Sequence, residues 1–334
     1  MISVNYDNIL FNARKIKEAI GDKCKLCAVV KADAYGHGMS KTVDVLQDTA
    51  DMFAVDRADD ALSILPLPVM MLVPVEFGDA VRLIDCGAIL TVDSFDTLKC
   101  VKEASKISGK RAHVHIKLDT GMARLGFCTD EISRLFDALN DCCSVTAEGV
   151  YSHFCSADND KEYSEKQFET FVKNAKLFKE FNPDIILHIA NTAGICCDSR
   201  FCLDMARVGI GLYGYGMEGL KPAKSCTARV LAVRRVQSGS RVGYGNTVCD
   251  GDKKLATVKI GYANGYPRIM KSFGGGWCNG KFLPIVGNVC MGMMMLDCTD
   301  CEIGIGEEVV ILSDEHVLLH PEQIIYEMLC NLRE

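Results

Sequence analysis

The sequence predicts an α/β fold, a (β/α)8 TIM-like barrel followed by a mostly β C-terminal domain. Three observations carry this. Short apolar, β-branched runs recur through the first two thirds of the chain, most of them separated by stretches long enough for a helix. Polar residues gather just after several of these runs, as they do at the carboxyl end of barrel strands. After about residue 215 helical periodicity fades, and strand-like runs alternate with Gly, Asn and Asp turns.

Taken in order, an amphipathic helix is expected over Ile9–Ile20, with Asp7 placed to cap it and Gly21 to end it. Barrel strands are expected at Leu26–Val30, Met52–Val55, Val69–Leu72, Ile89–Val92, Ala112–Lys117, Ala147–Tyr151, Ile185–Ile189 and Met205–Val208. Strands buried on both faces read as continuous apolar runs, which these are. An open doubly wound sheet also alternates strand and helix; the number of strands and the polar residues that follow them favour the closed barrel. The later strands are Ala228–Gln237, Leu255–Ile260, Phe282–Val286, Met293–Asp297 and Glu308–Leu312, with turns at Gly274-Gly275-Gly276 and Cys278-Asn279-Gly280. His320–Glu334 reads as a last short helix or strand. The domains are therefore 1–215 for the barrel and 216–334 for the β-rich domain, with the first few residues available to pair with the latter.

A chain of 334 residues suits a barrel plus a second unit. Hydrophobic residues make up 49% and charged residues 24%, the balance of a globular protein. A net charge of -7 argues against a nucleic-acid partner, which needs a basic face. It does not argue against one phosphate, which a few backbone N–H groups and a cation can hold. Met1–Asn8 shows no basic segment followed by an apolar one, and apolar runs such as Val69–Val75 fall far below the roughly 20 residues of a membrane span. The expected place is the cytoplasm, with no membrane partner.

The 18 cysteines include two CxxC pairs, Cys24/Cys27 and Cys298/Cys301, and two vicinal pairs, Cys142/Cys143 and Cys196/Cys197. A four-cysteine zinc site is the sharp reading. Against it, Cys27 opens the apolar run Cys27–Val30 and belongs inside a strand, far in sequence from the second pair. With no export signal, a disulfide framework fails too. Cysteine is read here as a small buried hydrophobe, and no metal is expected.

Lys31 follows the first barrel strand. An ammonium there sits at the barrel mouth, where such proteins place their chemistry. A partly desolvated lysine can form a Schiff base with a carbonyl cofactor. The plain alternative is a solvated lysine at a loop start.

Ala28-Val-Val-Lys-Ala-Asp-Ala-Tyr-Gly-His-Gly38 resembles the cofactor-lysine signature of the alanine racemase family, fold-type III enzymes dependent on pyridoxal 5'-phosphate (PLP). Further matches run in family order: Lys117-Leu-Asp-Thr-Gly-Met-Ala-Arg-Leu-Gly-Phe127, Ser152-His-Phe154 with Asp158, His188-Ile-Ala-Asn-Thr-Ala193, Arg207-Val-Gly-Ile-Gly-Leu-Tyr-Gly214, Gly243-Tyr-Gly245, Ile260-Gly-Tyr-Ala-Asn-Gly-Tyr-Pro-Arg268 and Val286-Gly-Asn-Val-Cys-Met291. Each is weak alone, but their order along nearly the whole chain is specific.

The resemblance implies roles. Lys31 would carry PLP covalently and act as one of two acid/base groups. Tyr244, from the β domain of the partner subunit in a homodimer, would be the other, because racemisation needs a group on each face of a planar carbon. A phenol has an ordinary pKa of about 10, so His153 and Arg207 would form the relay that activates it. Alone, His153 reads as a core histidine; its place just after a barrel strand points to function. Arg207 would bond the pyridine nitrogen without giving up a proton, weakening the ring as an electron sink and restraining transamination. Tyr35, Asn191, Thr192, Gly209 and Ile210 would hold the phosphate. Arg124 would bind the substrate carboxylate, supported by Lys117, which many relatives carbamylate. Met291 would line the carboxylate site from the partner subunit, and Tyr262, Asp158 and Arg268 the substrate corridor. Each has a plain alternative: a rim aromatic for Tyr35, a surface ion pair for Arg207, a packed methionine for Met291.

Three positions depart from the family pattern. Gly292 follows Met291 where an aspartate is usual, Asn288 stands where an arginine is common, and Tyr326-Glu-Met-Leu-Cys330 matches the closing segment but is followed, up to Glu334, by neither the tyrosine expected near that point to contact the phosphate nor the short Arg/Pro tail. A wider or differently charged entrance follows, and with it a drift from alanine toward serine or a larger amino acid. The expected activity is L-alanine/D-alanine interconversion for cell-wall supply; the alternatives are a shifted substrate or a weakly active PLP-binding protein.

Overall fold

The apolar runs of the N-terminal part lie in parallel strands covered on both faces. The computed structural model describes residues 1–140, 143–313 and 322–333. After β1 (Ile2–Val4) come β2 (Lys25–Val29), β3 (Met52–Val55), β4 (Val69–Met71), β5 (Leu90–Val92), β6 (Ala112–Lys117), β7 (Val145–Tyr151), β8 (Ile186–His188) and β9 (Met205–Val208). Two parallel sheets, β4-β3-β2-β9 and β5-β6-β7-β8, join at both edges. Ile89 bridges β4 to β5, donating to Val69 O at 2.9 Å and accepting from Met71 N at 2.8 Å. Asp204 N to Leu187 O (3.1 Å) and Arg207 N to Ala190 O (3.0 Å) join β8 to β9. The sheet thus closes into an eight-stranded barrel with helices between its strands. This is the predicted architecture.

Helices form where apolar residues recur at helical spacing. Tyr6–Ile20 buries Ile9, Asn12, Ala13, Ile16 and Ile20 on one face and stops at Gly21, whose φ of +76° favours glycine. It begins at Tyr6 rather than Ile9, so Asp7 lies within the first turn instead of capping it; its charge there still suits the helix dipole. Ser94 caps Phe95–Ser108 by accepting from Thr97 N, and Asp160 caps Lys161–Phe181 by accepting from Tyr163 N.

The chain divides into two compact units, one of Asp7–Ala34 and Gly38–Leu220, the other of Met1–Tyr6, Tyr35–His37 and Lys221–Glu334. The second holds β10 (Lys224–Val236), β11 (Arg241–Val242), β12 (Thr247–Val248), β13 (Lys253–Val258), β14 (Gly275–Cys278), β15 (Lys281–Pro284), β16 (Met294–Asp297) and β17 (Glu308–Leu312). Its main sheet is antiparallel in the order β15-β14-β17-β10-β13-β16, with β1 paired to β10; β11 and β12 form a separate hairpin.

The expected turn at Gly274-Gly275-Gly276 does not form. Gly275 and Gly276 lie inside β14 rather than in a turn, because a side chain on Gly275 would strike the Leu283 carbonyl and one on Gly276 the Val309 side chain. Asn279-Gly280 does turn the β14–β15 hairpin, with φ of +51° and +74°. The chain's last described helix is Glu322–Asn331; His320, Pro321 and Glu334 lie outside the described residues.

The cysteine reading holds only for part of the set. Cys27, Cys226 and Cys298 are among the buried thiols, whereas Cys86, Cys128, Cys143, Cys155, Cys196 and Cys330 are exposed. Cys142 lies outside the described residues. Among the described residues no helix is long and apolar enough to cross a membrane.

Candidate active site

Lys31 follows β2 after a single residue, Val30, and its Nζ lies 3.8 Å from Asp56 Oδ2. Both side chains are a third or more exposed, so the pair contributes little to stability. The backbone that follows is unusual. Ala32, Asp33, Ala34 and Tyr35 all have φ of +53° to +54°, one left-handed turn built without glycine. Each such residue costs about 1–2 kcal/mol, a local strain that the surrounding structure has to hold. Asp33 helps close the loop: its carbonyl accepts from Gly38 N at 3.0 Å and its Oδ1 from Met39 N at 2.7 Å. Tyr35 itself belongs to the second unit, its ring 6.3 Å from that of Tyr326.

Arg207, at 4% exposure on β9, is the hub of the barrel interior. Its Nη1 donates to His188 Nδ1 at 2.8 Å and to His188 O at 3.3 Å. Nη2 donates to Ser152 O at 2.7 Å and to His153 Nδ1 at 3.1 Å. A guanidinium only donates, so both imidazoles present a bare Nδ1 to it. Burial first, then the positive charge of Arg207, Lys117, Arg124 and Lys31, holds the pKa of His153 well below the usual histidine range. His153 is thus a neutral imidazole with its proton on Nε2. Gln167 Nε2 donates to His153 O at 3.1 Å and holds the backbone there.

Lys117 closes β6 at 5% exposure. Burial, then Arg207 and Arg124, brings its pKa down to about 7. Its Nζ lies 4.4 Å from the centre of the Tyr151 ring, a cation over a π face. Tyr151 shares a 2.7 Å hydrogen bond with Thr91 Oγ1 and stacks on His188 with planes 5° apart.

Arg124 is carried by the loop after β6. Asp119 Oδ1 accepts the backbone N–H of Gly121, Met122 and Ala123 at 2.9, 2.9 and 3.2 Å. Phe127 N returns to Lys117 O at 2.9 Å. The loop is pinned at both ends and leaves Arg124 exposed.

Asn191 caps the short helix Thr192–Cys197, its Oδ1 accepting from Gly194 N at 2.8 Å, which leaves its amide hydrogens available. Thr192 Oγ1 accepts from Gly211 N at 3.2 Å and keeps its own hydrogen to donate. Gly209 precedes the 3-10 turn Ile210–Tyr213, so the amides of Gly209 and Ile210 stand at an N-terminal end, where backbone N–H groups lack intrahelical acceptors. Asp158 is exposed on the same unit.

The remaining candidates belong to the second unit. Tyr244 is 75% exposed in a tight turn, flanked by Gly243, Gly245 and Asn246 at φ of +60°, +82° and +53°. Asn288 Nδ2 donates to Tyr244 O at 2.6 Å. Met291 is also exposed, and a Cβ built on Gly292 meets nothing within 4 Å. Tyr262 opens the 3-10 turn Tyr262–Asn264, its ring 5.7 Å from Arg268 Cζ.

Within the barrel unit the fold therefore brings Lys117, His153 and Arg207 together. Sequence reasoning missed His115, Tyr151 and the part played by His188. The period of two along β6 was an available signal, since it puts His115 on the face of Lys117.

The profile described as "Alanine racemase, N-terminal domain" matches residues 4–216, and "Alanine racemase, C-terminal domain" matches residues 223–334. "Alanine racemase 2" of Caldanaerobacter subterraneus subsp. tengcongensis is 34% identical over 334 residues, covering 94% of this chain and 85% of that protein. The structure of alanine racemase from Clostridium difficile 630 superposes with a TM-score of 0.87 at 30% identity, covering 99% and 93% of the two chains. That of alanine racemase from Bartonella henselae with covalently bound pyridoxal phosphate gives 0.88 at 27% identity, covering 100% and 97%.

Proposed function

We propose that this chain, which belongs to the alanine racemase family, interconverts the L and D forms of a small amino acid, alanine first, with PLP held at the barrel mouth. The observation that carries this reading is the hydrogen-bond inventory of Arg207. Its two Nη groups are committed to Ser152, His153, His188 and the Ile189 carbonyl, while Nε–H has no partner among the described residues. A spare, permanently protonated donor in a buried site fits a pyridine nitrogen, which it can bond but not protonate. The donors left on Asn191 and Thr192 and the amides of Gly209 and Ile210 fit a phosphate, and the family resemblance of the segment after Lys31 is what adds Tyr35 to that set. Lys31 fits as the amine that holds the cofactor covalently, as PLP is bound in the Bartonella henselae relative.

When bound, PLP supplies an electrophilic carbon for the substrate amine and a ring that delocalises charge from the α-carbon. The protein does the rest. Lys31 takes or returns the α-proton at Nζ on one face. Tyr244 of the partner subunit does so at its phenol oxygen on the other, and its exposure on a turn of positive-φ residues suits work outside its own chain. His153, neutral and bonded to Arg207, is proposed to hold the phenol's proton in balance. Arg124 takes the substrate carboxylate, with Lys117 behind it: an amine with a pKa near 7 is partly neutral, the form that carbamylates. Met291, Tyr262, Asp158 and Arg268 line the approach. The active species is a homodimer with shared sites, placed in the cytoplasm, where it supplies D-alanine for cell-wall peptide.

A second reading, in which serine or a larger amino acid is preferred, is favoured by the open space at Gly292. The test is turnover of L-alanine, L-serine and basic amino acids with PLP present, joined to solvent deuterium uptake at the α-carbon and borohydride trapping of the cofactor on Lys31. Trapping with fast exchange of alanine supports the main reading. Faster serine exchange moves it to the second. Trapping without exchange would leave a PLP-binding protein, and no adduct on Lys31 would end all three.

A further inference from the structure

Hydrogen-bond direction in the barrel interior can be followed one residue beyond His188. Since Arg207 can only donate, His188 Nδ1 accepts, and the proton of His188 sits on Nε2. That nitrogen lies 2.9 Å from His115 Nδ1, which must accept in turn. The proton of His115 is then on its own Nε2, a buried atom without a partner among the described residues. Any other assignment sets two hydrogens face to face or leaves a ring with none.

Both histidines are fully buried, and both imidazoles are held well below the ordinary pKa, by burial first and by Arg207 next. The ring of His115 is also fixed from its neighbouring strand. Gly149 pairs with it in register, and a Cβ there would lie 2.6 Å from three imidazole atoms. Tyr151 stacks flat on His188 while His115 meets it at 61°. A buried N–H with no acceptor is rare and calls for a reason.

We propose that His115 is a positioning residue for the reaction: by accepting from His188 it sets the tautomer that offers Arg207 an acceptor, and so holds the guanidinium in place. The proposal rests on the role given to Arg207 above. Without that acceptor His188 can move its proton to Nδ1, turning a donor against a donor and displacing Arg207.

Nitrogen-15 histidine spectra of the cofactor-free protein read the tautomers directly. The expected result is Nε2–H for both rings in the wild type, the same for His188 in H115N, whose amide oxygen still accepts, and a tautomer mixture in H115L. With PLP added, H115L should retain the cofactor about tenfold less tightly and shift the absorbance of the bound form, while H115N stays within about twofold of wild type. G149A, which displaces the His115 ring without removing it, should reproduce the tautomer mixture and serves where H115L loses its fold. His188 remaining Nε2–H in both H115L and G149A, or unchanged retention and absorbance in a folded H115L, would overturn the proposal. A wild-type protein that takes up no PLP would overturn the proposed function instead, and the tautomers would still decide whether His115 governs Arg207.

Discussion

The ammonium of Lys117 lies 4.4 Å over the ring of Tyr151, at the buried end of β6. Burial, Arg207 and Arg124 lower its pKa from 10.5 to about 7. Between those values the unfolded chain binds more protons than the folded one, so stability rises with pH through this window. The gain is at most about 1.4 kcal/mol per pH unit. Below pH 7 both states are protonated and the penalty stays constant. Urea unfolding in carbonate-free buffer should show the midpoint climbing from pH 7 to 9.5 in the wild type and a flatter profile in K117M. Parallel profiles would contradict this assignment. In bicarbonate, the wild type alone should gain the mass of one carbon dioxide on Lys117.

Lys31 and Tyr244 are proposed to act from different subunits. K31A and Y244F should each lack racemase activity, and mixing them should restore about one intact site per heterodimer. Y244F alone should still exchange the α-proton of one enantiomer, since Lys31 serves one face only. Activity that stays absent in the mixture argues for sites built within one chain.

Asn288 holds the turn of Tyr244 by one 2.6 Å hydrogen bond to its carbonyl. Removing it should loosen the phenol at a local loss of about 1 kcal/mol. N288A is expected to lower kcat about threefold to tenfold while the unfolding midpoint falls by no more than a few degrees. An unchanged kcat would show that the positive-φ residues Gly243, Gly245 and Asn246 suffice to shape the turn.

Gly292 has open space where a side chain would project. G292D should therefore fold normally. By returning a carboxylate beside Met291 it should lower the serine-to-alanine ratio of kcat/KM by about tenfold. A ratio that does not move would assign the preference to other residues.

Much of this was legible along the chain. Runs such as Met52–Val55 announce barrel strands because burial on both faces selects apolar residues without interruption. Gly275 and Gly276 resemble a turn in the sequence because composition cannot tell a flexible glycine from one that makes room for Val309. The left-handed turn after Lys31 was hidden altogether, since Ala32, Asp33, Ala34 and Tyr35 carry no glycine signal for positive φ. Cys86 and Cys196 showed the limit of a residue-type rule, being exposed despite the burial usual for cysteine.

The sequence by itself determined the strands, the glycine-marked turns and the lysine at the end of the first barrel strand, because these depend on local pattern and near neighbours. Only the tertiary structure decided that Arg207 donates to His153 and His188, that His188 in turn donates to His115, and that Lys117 is buried among cations. Protonation and hydrogen-bond direction depend on which groups face one another across the barrel, and chain order carries no record of that.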